Sequence, residues 1–229
     1  MIVPEQLPLA LKLRAGSSLE SFIGEGNELL LTAMSRLGEG AGEQLYIWGD
    51  RGSGKSHLLE AKVRQAGADG FYLPASQLDG LSPQMLEGLE QFDLLAVDDI
   101  DCLAGRAEWE AALFHLYNRV RDAGKSALFS ASAPPGHCGF GLPDLASRLA
   151  AGPVWKVQPL SEDGLMALMR QLGQAAGLEV GDEVARYLLS RGTRSADAVV
   201  KLMEQLDRHA MARQRRLTIP FVRSLYPGA

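Results

Sequence analysis

The chain has 229 residues, 46% of them hydrophobic and 22% charged, which describes an ordinary globular protein of one large domain or two small ones. A net charge of -5 excludes a generally basic nucleic-acid surface. The charge is uneven, however: from Arg186 to the end nine Lys/Arg face three Asp/Glu, about +6, which leaves about -11 for the rest. Two cysteines, Cys102 and Cys138, have no ligand-spaced neighbours, so they read as free buried thiols and not as a zinc site. No apolar run reaches the ~20 residues of a membrane span. The N-terminal charges Lys12 and Arg14 follow the apolar residues, unlike a signal peptide, so a cytoplasmic protein is expected.

Met1 to Ser18 carries Pro4, Pro8 and Gly16 with no sustained period, and predicts an extended tail. Within it, Leu7, Leu9 and Leu11 alternate as apolar anchors, the pattern of a docking peptide or of a tail packed on its own domain. Ser21 to Asn27 is a loop, and Glu28 to Leu37 is a helix with Leu30, Met34 and Leu37 on one side.

Gln44-Leu45-Tyr46-Ile47-Trp48 reads as a strand, and His57 to Val63 as a helix. Between them Gly49-Asp50-Arg51-Gly52-Ser53-Gly54-Lys55-Ser56 fits G-x-x-x-x-G-K-[ST] at every fixed position. Strand, glycine loop and helix are the context this phosphate-binding pattern needs. Glycines let successive N–H groups turn inward at phosphate oxygens, and the helix adds its positive end. Lys55 would reach the β- and γ-phosphates, and Ser56 would ligate Mg²⁺.

Phe71-Tyr72-Leu73 is a short strand, and Ser82-Pro83 should open a helical stretch. Leu94-Leu95-Ala96-Val97 is apolar without alternation, as in a parallel strand buried on both faces. It ends in Asp98-Asp99, at the edge where such sheets place ligands. Asp98 would hold Mg²⁺ through water and Asp99 would orient an attacking water, whereas Asp101 reads as a helix cap. Trp109, Ala112, Leu113, Leu116, Tyr117 and Val120 mark one face of a long helix. Ala127 to Ser132 is a strand whose tip, Ser130 or Ser132, should lie beside the phosphate loop. Gly141 to Leu149 is a short helix with one arginine, Arg148, and Val154 to Val157 is the last strand.

Beyond Pro159 the pattern is helical. Ser161, Asp182 and Ser195 are expected to cap three helices, the third running to about Arg213, and Thr218 to Val222 opens a fourth. The expected fold is therefore α/β, a three-layer phosphate-loop domain with a five-stranded parallel sheet, followed by a small all-helical lid. The expected boundaries are a tail over 1–18, an α/β domain over 19–159 and a lid over 160–229.

A phosphate loop, a strand ending in Asp-Asp, a polar strand tip, a helix with one arginine and a helical lid together resemble the AAA+ ATPases. Phe22-Ile23 through Asn27, Gly54-Lys55-Ser56-His57-Leu58-Leu59 and Val97-Asp98-Asp99-Ile100 resemble DnaA. With the Gln6-Leu7-Pro8-Leu9 tail, Leu142 to Leu149, Gln158 to Ser161 and Gln214 to Val222, the chain is similar to the DnaA-related regulatory inactivators. That resemblance implies a negative regulator of replication initiation. It would bind ADP or ATP with Mg²⁺ and dock on the DNA polymerase III sliding clamp (its β subunit) through Gln6, Leu7, Pro8 and Leu9. DNA would be met mainly through the clamp. Arg148 would be offered as an arginine finger to ATP held by DnaA.

The resemblance also implies nucleotide contacts from Phe22, Ile23, Asn27, His57, Ser132 and Arg194, besides Gly49 to Ser56. Two positions depart from the DnaA pattern. Asp197 stands where a lid arginine would sense phosphate, with Arg194 one turn earlier, and Ser132 replaces a strand-tip Asp. Both point to weak hydrolysis by the chain itself. The alternative is an autonomous DnaA-like ATPase such as a helicase loader, but the segment from Ser82 to Phe92 has no basic residue for single-stranded DNA. Self-association is left open.

Overall fold

The computed structural model describes residues 17–38, 42–213 and 217–225. The proposed clamp-binding residues Gln6 to Leu9 lie outside them. Five parallel strands form one sheet in the order β2-β3-β4-β1-β5. They are β1 (Gln44–Trp48), β2 (Gly70–Pro74), β3 (Leu94–Asp98), β4 (Ser126–Ala131) and β5 (Val154–Lys156). Every residue of β3 and β4 is buried, as expected of central strands covered on both faces.

Alternate strand residues feed two cores. Leu45, Ile47, Leu94, Ala96 and Leu128 pack with α1 (Glu28–Arg36) and α2 (Lys55–Ala66) through Leu30, Met34, Leu58, Leu59 and Val63. Tyr46, Leu95, Val97, Ala127 and Phe129 point the other way, toward α3 (Ala107–Asp122) and α4 (Pro143–Ala150). A third core belongs to the lid: α5 (Glu162–Ala175), α6 (Asp182–Ser190), α7 (Ala196–Arg213) and α8 (Ile219–Leu225) close around Met169, Ala185, Val199 and Leu206. Among the described residues no helix is long and apolar enough to cross a membrane.

Five local expectations are corrected. The free thiols are not buried: Cys102 is exposed and Cys138 half-buried. After Ser82 there are two short 3-10 turns, Pro83–Leu86 and Leu89–Gln91, because Glu87 turns extended and Gly88 takes a φ of 81° between them. Gly181, not Asp182, is the cap of α6, and the Asp182 carboxylate accepts from Arg170 Nη2 at 2.6 Å. Asp101 caps nothing: it accepts from the backbone N–H and the hydroxyl of Ser132. Ser17 belongs to no loose tail, being buried with its hydroxyl donating to Glu60 Oε2 at 3.2 Å. Ser161 caps α5 as expected, accepting from Gly164 N at 3.1 Å.

Candidate nucleotide site

The loop from Gly49 to Ser56 joins β1 to α2. Its bend rests on Gly52 (φ 81°) and Gly54 (φ 101°), backbone angles that strain any side-chain-bearing residue. Gly49 is constrained differently: a Cβ there would lie 2.8 Å from the carbonyl oxygen of Val157. Lys55 is buried inside the loop, its ammonium donating to Gly49 O at 2.9 Å and Asp50 O at 3.3 Å. The Ser53 hydroxyl is buried without a partner. A folded-back lysine, an orphaned hydroxyl and a run of N–H groups at a helix start form a concave anion cradle.

Across the sheet edge the carboxylates form a network. Asp98, buried to 3% exposure, accepts from Tyr72 Oη at 2.7 Å and from the Ser130 hydroxyl. Ser130 Oγ in turn accepts from Asp99 N at 2.8 Å. Asp99 is the one non-glycine residue with positive φ among the described residues, at 53°. Burial, reinforced by the neighbouring Asp98 charge, pushes the Asp99 carboxyl above its ordinary value, while Lys55 and Arg51 pull the other way. Lys55, Arg51, Asp98 and Asp99 thus share one electrostatic neighbourhood. Among the described residues no group of three His, Cys, Asp or Glu could hold a metal alone. Ser56 and Asp98 suit Mg²⁺, an ion that takes one or two protein oxygens and leaves the rest to phosphates and water.

The remaining expected contacts divide. Phe22 lies against the loop: a Cβ on Gly54 would meet its ring carbon at 2.7 Å. Ile23, its neighbour, packs into the lid core instead. The side-chain amide of Asn27 is taken up by backbone groups. It donates to Gln158 O at 3.1 Å and accepts from Gln158 N at 2.8 Å. His57 Nε2 lies 3.0 Å from Ser18 O and 3.3 Å from Ser21 Oγ, turned to the segment ahead of α1. Ser132 is turned to Asp101 and exposed, so the strand-tip hydroxyl at the carboxylates is Ser130. Arg194 is exposed and bonded to nothing among the described residues. Asp197 abuts the loop, its Cβ 3.3 Å from where a Cβ on Gly52 would be, and its carboxylate is neutralised by Lys201 Nζ at 2.6 Å.

Sequence reasoning missed Tyr72, Lys201 and Glu25. Only the strand order reveals that Tyr72 can reach Asp98. Lys201 was legible as the i+4 partner of Asp197. Glu25 accepts from Ser161 Oγ at 2.8 Å, and a Cβ on Gly164 would lie 2.3 Å from its Oε2. Gln171 Nε2 adds a bond to Ser21 O at 2.7 Å. The segment from Ser18 to Asn27 therefore touches both the phosphate loop and the lid.

Arg148 lies apart, on α4. Leu145 and Leu149 are buried in the core shared with α3, whereas Arg148 is exposed and bonds to no side chain among the described residues.

The strand order, phosphate loop, acidic strand end and helical lid define an AAA+ nucleotide-binding fold. Residues 162–225 match the family model of the lid domain of Hda, and residues 78–155 match that of the bacterial DnaA ATPase domain. The chain is thus similar to Hda over its lid and to DnaA over part of its α/β domain. Domain III of the Thermotoga maritima replication initiation protein DnaA superposes with a TM-score of 0.80 at 23% identity, over 94% of this chain and 98% of that one. AMPPCP-bound DnaA from Aquifex aeolicus gives 0.71 at 24% identity, over 89% and 69%. The Thermotoga maritima RuvB branch migration motor gives 0.66 at 19% identity, over 90% and 70%. At these identities the solved structures speak for the fold.

Proposed function

We propose that this DnaA-related protein is a nucleotide-bound negative regulator of replication initiation, tethered to the sliding clamp, that stimulates hydrolysis of ATP held by DnaA. The observation that carries the reading is Arg148: an exposed guanidinium without a partner in the described chain, on a short helix fixed by two buried leucines. The adjoining family matches, an Hda lid on a DnaA-type ATPase domain, support it. The chain's own site holds ADP or ATP with Mg²⁺ at Ser56 and Asp98. Phe22 walls the phosphate loop, and Lys55 swings from Gly49 and Asp50 onto the phosphates. Arg148 is presented to the γ-phosphate on DnaA, where charge develops as the bond to the leaving group breaks. Arginine fingers in other systems are worth roughly 10³-fold or more.

The test is turnover of DnaA-bound ATP with and without the protein and DNA-loaded clamp. Arg148→Ala should lower the stimulation by about 10³-fold, with nucleotide binding by the variant retained. Normal stimulation by the variant overturns the role of Arg148. In the same assay a chain lacking residues 1–11 should lose the clamp; retained clamp binding removes the tail from the proposal. A second reading, an autonomous ATPase, is favoured by the proximity of Asp99 to Asp98, Lys55 and Arg51. Substantial turnover by the isolated chain would establish it.

A further inference from the structure

Glu110, on α3, is 1% exposed, the most buried carboxylate among the described residues. No cation pairs with it there. Its oxygens accept instead from three backbone N–H groups: Gly105 at 2.6 Å and Gly141 at 3.1 Å on Oε1, and Leu142 at 2.7 Å on Oε2. None of these three amides donates to a backbone carbonyl among the described residues. Burying an ion is costly unless it is fully hydrogen-bonded, and charge-assisted bonds from peptide N–H groups are the strong kind.

The three donors belong to two loops. Gly105 links the turn after β3 to α3, and Gly141-Leu142 opens α4. That helix has no side-chain cap of its own, and Pro143 at its first turn supplies no N–H. A negative charge at its N-terminal end is also favoured by the helix dipole. Leu145 and Leu149 fix the roll of α4 against α3, and Glu110 fixes where α4 starts. Together they determine where Arg148 emerges.

We propose that Glu110 is a positioning residue for Arg148: its carboxylate, shared between the loop after β3 and the loop opening α4, holds the arginine-bearing helix in register for a neighbouring nucleotide. This rests on the reading of Arg148 given above. Glu110→Gln keeps the shape but replaces an acceptor oxygen by an NH₂ group, which cannot accept from Leu142 N or from the glycine amides.

The experiment compares the wild type, Glu110→Gln, Arg148→Ala and the double variant on DnaA with loaded clamp, and follows amide exchange in the isolated chains. Glu110→Gln should lower the maximal stimulated rate by about 10- to 100-fold, the scale of a small misplacement of a catalytic group, while half-saturation and nucleotide binding stay unchanged. Added to Arg148→Ala it should change nothing further. Full stimulation by Glu110→Gln, or a further loss in the double variant, overturns the proposal. If Arg148→Ala itself stimulates normally, the finger reading fails and the exchange data decide the rest. Faster exchange at Gly105, Gly141 and Leu142 in Glu110→Gln keeps Glu110 as the holder of α4, and unchanged exchange removes it. Should Glu110→Gln not fold, the wild type decides: slow exchange at these three amides supports the proposal, and exchange at open-loop rates overturns it.

Discussion

Asp99 is held in a backbone conformation that glycine prefers, and its carboxylate is raised by burial and by Asp98. Such strain tends to collect where chemistry is done. Its native state binds the proton more tightly than the unfolded chain. The resulting contribution favours folding below the ordinary value of 3.8 and is lost as pH rises through the raised native value. Asp99→Asn should therefore raise Tm at neutral pH by about 2–4 °C, the response of a domain this size to a modest gain, and leave Tm little changed at strongly acid pH. Asparagine also tolerates the left-handed angle. Calorimetry across pH measures it, and a Tm gain that is the same at every pH would contradict the charge account.

Among the elements, the strands were the most legible. Leu94 to Val97 lies in a strand buried on both faces because apolar residues without alternation need cover on both sides. The phosphate loop was legible for a similar reason, since its glycine and lysine spacing encodes the bend and the charge together. The partners of the carboxylates were not. Tyr72 and Ser130 reach Asp98 only because β3 lies between β2 and β4, and strand order is not written in local periodicity. The sequence left Ser130 and Ser132 both open for the same reason: the side chain that meets Asp98 depends on where β4 ends. Glycine 164 shows a different limit. In the sequence it is a weak point inside a helix. In the fold it leaves room for the Glu25 carboxylate at the start of α5. Gly164→Ala should cost about 1–3 kcal/mol in urea unfolding, the range for overpacking, and Glu25→Ala in the same chain should recover part of it. An additive pair would show that the two residues do not meet.

For the whole molecule, the cores change hands over a few residues: Val157 belongs to the sheet core and Leu160 packs on the lid core. Ahead of α1 the chain also touches the lid core through Ile23, while Phe22 before it and Leu30 after it pack on the sheet core. Asn27 ties that segment to the chain entering the lid through both backbone groups of Gln158. The lid is thus held at its covalent entry and again by the segment ahead of α1, through Gln171 to Ser21 and Ser161 to Glu25. The phosphate loop lies beside both, with Gly52 against Ser195 and Asp197 and Gly54 against Phe22. A ligand in the loop would therefore meet the sheet domain, the lid and the segment that fastens one to the other.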